Sequence, residues 1–275
     1  MLNLGPLALY GAALVAYIWH FVRRSASAGR AATTVLVFAA LSHTFVIGMQ
    51  TVEYGHVPMA GPTSYISTFV WLLALAYLYT EMTSDERGMG IFILPLLVAL
   101  QVIPASVPGV ESRSAVLEGP LFGIHVSSLL FAYASFALAC VIGITYVLLF
   151  KEIKAKHLGV FYARLPSLQV LDRMNQRAIA IGWVFLTIGM VVGVVWAAQA
   201  RAYDPATPQF QAMSLEDPKI FVALVCWAVY SFEVFAARRI GWGGRRAAYL
   251  SAVGFAIVLL NFVPISYFVT NSHKF

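Results

Sequence analysis

Charge is what this sequence has least of. Only 11% of its 275 residues are Asp, Glu, Lys or Arg, while 60% are hydrophobic; an ordinary soluble domain carries roughly 25% charged residues. So small a supply cannot cover a water-facing surface, and the bilayer is the main solvent. Cysteine is nearly absent: Cys140 and Cys226 both fall inside apolar runs, which excludes a disulfide framework and a CxxC redox pair. No basic patch interleaved with aromatics exists, so the net charge of +6 speaks of membrane topology and nucleic acid is not a partner. Missing too is a polar stretch long enough to fold alone, since the largest are 151–177 and 200–219. The chain therefore reads as one membrane domain, 1–275. It shows no internal repeat and no paired broken helices, which disfavours an inverted-repeat transporter.

What is there is apolar sequence in pieces of membrane length. A spanning helix needs about 20 mostly apolar residues, and cutting at the charge clusters leaves such pieces near 4–22, 31–50, 64–81, 89–107, 122–150, 178–199, 220–237 and 247–269. The expected fold is all-α and polytopic, with about eight transmembrane helices. The fifth piece exceeds one membrane thickness, so Tyr146 to Lys156 is expected to carry its helix into water. The fourth contains Pro95 and Pro104, a reason to expect a kink. The first runs directly into Arg23 and Arg24 without a small-residue cleavage site, and reads as a retained span. Gly159 to Arg177 mixes aromatic, aliphatic and basic residues and reads as a connector lying on the membrane surface.

Fourteen of the 18 basic residues fall after spans one, three, five and seven, within 23–30, at 87, within 151–177 and within 238–246. Positively charged loops stay in the cytoplasm. Both termini are thus expected on the outer side, together with three connections rich in Gly, Pro, aromatics and carboxylates.

That orientation sorts the six histidines. His125 falls at the outer entrance of span five and His273 just past the outer end of span eight; His56 is in the first outer loop, while His20 and His157 belong to the inner side. Imidazole is the commonest ligand for transition metals and haem iron, and two imidazoles from different helices can clamp a porphyrin. The bland alternative for each is a histidine satisfied by water or lipid phosphate. No HxxxH spacing points to structural zinc. His43 lies at hydrocarbon depth, where an ionisable group marks either function or a buried hydrogen bond. Glu233, near Arg238, is expected to snorkel to the interface. Trp196 follows Gly189 and Gly193, a GxxxG spacing that allows close helix approach, and reads equally as a member of the interfacial aromatic belt.

Several collinear blocks then resemble the CcsA, ResC and HemX-like group of cytochrome c assembly membrane proteins. VEYGHVPMAGPTSYISTFVW is similar to the group's GHxPLxNxYE segment, and IHVSSLLFAYASFALACVIGITYVL to its HVSxxxLxYAxF helix. RLPSLQVLDRMNQRAIAIGWVFLTIG resembles the connector and helix that follow. GMVVGVVWAAQA and DPKIFVALVCWAVY resemble its GxxxGxxWA and DPK blocks, and SYFVTNSHKF its closing element. The resemblance implies haem, non-covalently bound as haem b, presented on the outer face between His125 and His273 for attachment to apocytochrome c. Trp196, Asp204 and Asp217 stand where the group has a tryptophan-rich element, and Arg201 or Lys219 would pair with propionates. His43 would serve a second or transient haem. A separate membrane partner of the CcsB/ResB type and a bacterial inner (cytoplasmic) membrane are implied as well.

The sequence departs from the group in three places. QARAYDPATPQFQAMSLE replaces the tryptophan-rich run of the haem lyases, the acidic element after GHxP is missing, and Phe235 stands near the histidine of an LHxR site. These departures bring the chain nearer to the shorter HemX-like branch. They keep open a regulatory or scaffolding protein without lyase activity, and a transporter using His43 stands as a third reading.

Overall fold

A computed structural model describes residues 2–59, 61–107, 119–156, 159–203 and 218–260, with the side chains of 200–203, 218, 219 and 260 not assigned. Among the described residues the chain is helical and contains no strand. In order the helices are α1 Leu4–Arg23, α2 Ala26–Tyr54, α3 Pro62–Ser84, α4 Gly90–Ser106, α5 Pro120–Lys154, α6 Val160–Arg164, α7 Leu168–Tyr203, α8 Pro218–Arg239 and α9 Arg245–Leu260. Six of them, α1, α2, α3, α5, α7 and α8, are long and apolar enough to cross a membrane. With α4 they form a polytopic membrane protein.

The starts and stops follow local chemistry. Ser25 caps α2 by accepting a hydrogen bond from the Ala28 amide (3.1 Å). Pro62 and Pro120 open α3 and α5, where the missing N–H costs nothing. Arg24 in the left-handed region closes α1, and its amide donates to His20 O (2.8 Å), folding α1 and α2 into a hairpin.

The expected spans correspond closely to α1, α3, α5 and α8, and α5 does continue to Lys154. The fourth keeps both prolines inside a 17-residue helix of about 25 Å, shorter than the hydrocarbon. It packs on α1 and α3. The sixth begins ten residues before the expected start: 168–177 is the first part of α7, not a surface connector, and only Val160–Arg164 forms a separate short helix. Leu171, Met174 and Ala178 are all buried, so a single apolar stripe at helical spacing continues through the polar stretch. The last span is described to Leu260.

The bundle has two lobes. α1 to α4 pack among themselves, α5, α7, α8 and α9 do the same, and α3 against α5 and α7, with α4 against α5, joins them. The widest interface is α5 on α7. Phe136 of α5 stacks on Tyr230 of α8, with centroids 3.6 Å apart and rings 2° from parallel.

Because the helices alternate in direction, the basic clusters that follow α1, α3, α5 and α8 meet at one end. There Arg164 donates to Phe21 O and Val22 O at the close of α1 (both 2.6 Å). Arg177 donates to Thr83 O at the close of α3 (3.1 Å). These contacts satisfy carbonyls that a helix end leaves bare. Just inside, Glu81 is 1% exposed; it accepts from Tyr17 Oη and Thr33 Oγ1 (both 2.5 Å), with Arg87 Nε at 4.0 Å. One buried carboxylate thus ties α1, α2 and α3.

Removing a donor from this carboxylate leaves a buried acceptor short of a partner, at a cost of about 1–3 kcal/mol. Tyr17→Phe is therefore expected to lower unfolding free energy by that amount in denaturant titrations in detergent. Tyr79→Phe, on an exposed position of the same bundle, should stay within about 0.5 kcal/mol.

Candidate functional site

At the end opposite the arginines, the first turns of α5 meet the last turns of α7. His125 and Leu129 lie four residues apart on α5 and thus on one face, and they face Gly189 and Gly193 on α7. A Cβ on Gly189 would lie 2.7 Å from Leu129 Cδ2, and one on Gly193 would lie 2.5 Å from His125 Cε1 and Nδ1. The GxxxG spacing therefore admits one leucine and one histidine.

That approach fixes the imidazole. His125 Nδ1 lies 2.7 Å from the Gly189 carbonyl oxygen. A carbonyl only accepts, so Nδ1 carries the proton and Nε2 holds the lone pair of the neutral ring. A metal-ligating histidine is oriented in the same manner, through a hydrogen bond made by its other nitrogen. Trp196, two turns beyond Gly189, stacks on the ring with centroids 6.0 Å apart at 26°. Phe122 packs on the indole at 5.2 Å. His125 and Trp196 are half-buried and Phe122 is buried. The site is thus an apolar aromatic platform around one positioned imidazole.

The loop before α3 comes to the same end. Met59, 3% exposed, receives a contact from Ser127 Oγ at 3.6 Å, and Pro58 O accepts from Thr68. His56 is half-buried, and its Nδ1 donates to Val57 O (3.0 Å).

His43 is fully buried, and both ring nitrogens are engaged. Asn3 Nδ2 donates to Pro104 O (3.1 Å), and Ser67 Oγ donates to Asn3 Oδ1 (3.4 Å). Ser67 Oγ therefore accepts from His43 Nε2 (2.9 Å), and His43 Nδ1 accepts from Tyr10 Oη (3.1 Å). Four helices are joined by this chain of polar groups, the buried hydrogen-bonded arrangement that sequence alone left open.

Sequence comparison decides the family. The chain matches the cytochrome C assembly protein family over residues 3–274.

It belongs to that family.

Its relatives include cytochrome c biogenesis protein CcsA of Guillardia theta, 24% identical over 87% of this chain and 83% of the relative. The CcsA of Microcystis aeruginosa is 23% identical over 88% and 86%, and that of Chlorella vulgaris 23% over 84% and 81%. The chain's role is thus in cytochrome c assembly, in a membrane.

Of the residues expected in an assembly site, His125 and Trp196 come together and His43 lies elsewhere, in its own hydrogen-bonded chain. Arg201 is in α7 with its side chain undescribed, and His273, Asp204, Asp217 and His157 lie outside the described residues. Sequence reading passed over Phe122 and the direct role of Gly193. The signal for the latter was present in register: Gly189 and Gly193 repeat the spacing of His125 and Leu129.

Gly193→Ala must move the His125 ring. Such overpacking costs about 1–3 kcal/mol, read as a lowered thermal midpoint in detergent. Gly48→Ala, where a Cβ meets nothing within 4 Å, is expected to be neutral or to raise the midpoint, because alanine favours a helix by about 1 kcal/mol.

Proposed function

We propose that this chain holds haem for delivery to apocytochrome c, and that His125 and His273 would hold its iron at the outer membrane face. The observation that carries the reading is His125: its Nδ1 proton is committed to Gly189 O, and Trp196 stacks on the ring with Phe122 packed on the indole. A neutral imidazole with its lone pair on Nε2 is the form that iron accepts. The aromatic surface beside it suits the faces of a flat macrocycle. Haem b, when bound, would supply the iron and the vinyl groups that become attached to a c-type cytochrome. The protein's part is to orient one imidazole, cover a porphyrin face with Trp196, and pair propionates with Arg201 or Lys219. Asp204 and Asp217 belong to the same outer segment of the sequence.

The outer placement rests on the charge rule. His125 and Trp196 lie at the end away from Arg164, Arg177 and Arg87, and basic ends stay in the cytoplasm. In this reading 1–275 is one membrane domain in a bacterial inner membrane. Among the described residues no domain is large enough to hold an apocytochrome, and in this reading a second membrane chain of the CcsB/ResB type is its partner. His43 is left out of the resting ligand set, because ligation there would break hydrogen bonds to Tyr10 and Ser67.

One observation favours a second reading: 200–217 contains no tryptophan. A HemX-like scaffold would retain the bundle and dispense with lyase chemistry.

The reduced absorption spectrum of the detergent-purified protein separates them. Bis-histidine haem bands are expected, with haem content lowered about tenfold or more in a His125→Ala, His273→Ala double variant. No bands, or bands unchanged in that variant, would overturn the haem reading. Haem-free protein whose gene deletion leaves c-type cytochromes normal would favour the scaffold.

A further inference from the structure

At the opposite, arginine-rich end, a cleft of about 220 Å³ opens between α7 and α8, with α9 at its side. It is several times the roughly 30 Å³ that one water occupies in the liquid. Arg173, Arg177 and Arg238 line it together with the apolar Ile179 and Val234 and with Glu233.

Glu233 is 4% exposed, and its Oε2 is buried with no hydrogen-bond partner among the described residues. Oε1 fares little better. It lies 3.0 Å from Ser251 Oγ, but that hydroxyl also reaches Asn175 Oδ1 (3.1 Å) and Ala247 O (2.9 Å), and its single proton serves one acceptor at a time. Arg173 and Arg238 make no hydrogen bond or ion pair among the described residues, while Arg177 caps α3. A buried carboxyl with one oxygen lacking a donor therefore sits in a cleft rimmed by exposed arginines, and none of the three is within 4.0 Å of it. A buried polar atom left unmatched costs about 1–3 kcal/mol, so Oε2 calls for a donor, and the arginines at the rim suit an anion carried by the same group.

We infer that this cleft binds an ethanolamine phospholipid, with the phosphate on Arg173 and Arg238, the ammonium on Glu233, and an acyl chain along Ile179 and Val234. The phosphate matches the guanidinium donors. The N–H of the ammonium matches Oε2, which a choline headgroup, having no N–H, cannot. Basic pockets between transmembrane helices on the cytoplasmic side are suited to lipid headgroups.

Native mass spectrometry of the detergent-purified full chain tests this with phosphatidylethanolamine, phosphatidylcholine and phosphatidylglycerol of matched acyl chains. Phosphatidylethanolamine is expected to be retained about tenfold more than phosphatidylcholine, the ratio of one charge-assisted hydrogen bond. Glu233→Gln should reduce that preference and Arg173→Ala, Arg238→Ala should abolish retention. Arg23→Ala, Arg30→Ala, at exposed positions of the same end, should change neither. Soluble phosphoethanolamine should fail to compete. Equal retention of the choline lipid, stronger retention of phosphatidylglycerol, competition by soluble phosphoethanolamine, or retention by the cleft variants would each overturn the inference.

Discussion

A polar group inside hydrocarbon has to find its hydrogen bonds within the protein, because acyl chains offer none. That constraint shapes both ends of this bundle. His43 meets Tyr10 and Ser67, and through them Asn3 and the carbonyl of Pro104. Glu81 gathers Tyr17 and Thr33 under Arg87. Each chain of bonds crosses from helix to helix, so apolar packing brings the helices together while these pairings fix their register. Where helix association lacks a hydrophobic drive, small residues and interhelical hydrogen bonds supply it.

The aromatic site uses the same constraint to set a chemical state. Gly189 and Gly193 bring α5 close enough for His125 to spend one nitrogen on a backbone carbonyl. A larger residue at 193 would push the ring away, and with a free ring the tautomer would no longer be set by the fold. Trp196 then stacks on one side of the imidazole, with Phe122 packed on the indole. Among the described side chains, what holds His125 is a backbone carbonyl and an aromatic ring, while Arg164 and Arg177 are spent on closing helix ends.

Much of this was legible in the sequence. Charge poverty and apolar run length yield the helices, and the basic clusters mark the end where helix termini meet. The beginning of α7 was not legible to a hydropathy cut, because Asp172, Arg173, Asn175, Gln176 and Arg177 outweigh the buried Leu171 and Met174 in any window. Glu233 was misjudged for a geometric reason. Five residues separate it from Arg238, which places them about 140° apart around a helix, so the carboxyl turns inward to Ser251 instead of snorkelling. The pairing of His125 with Trp196 depends on how α5 lies on α7, which no single-helix pattern contains; the matched spacing of two glycines with a histidine and a leucine is its only trace.

The central claim is that the fold holds His125 with its proton on Nδ1 and its lone pair on Nε2. Nitrogen NMR of haem-free protein labelled with 15N-histidine, with the His125 signals assigned by their loss in His125→Asn, reads that directly. The account predicts a protonated Nδ1 and an unprotonated Nε2, with the Gly193→Ala variant losing this fixed state. A proton on Nε2 with Nδ1 bare, or a rapidly exchanging mixture in the unaltered protein, would contradict it.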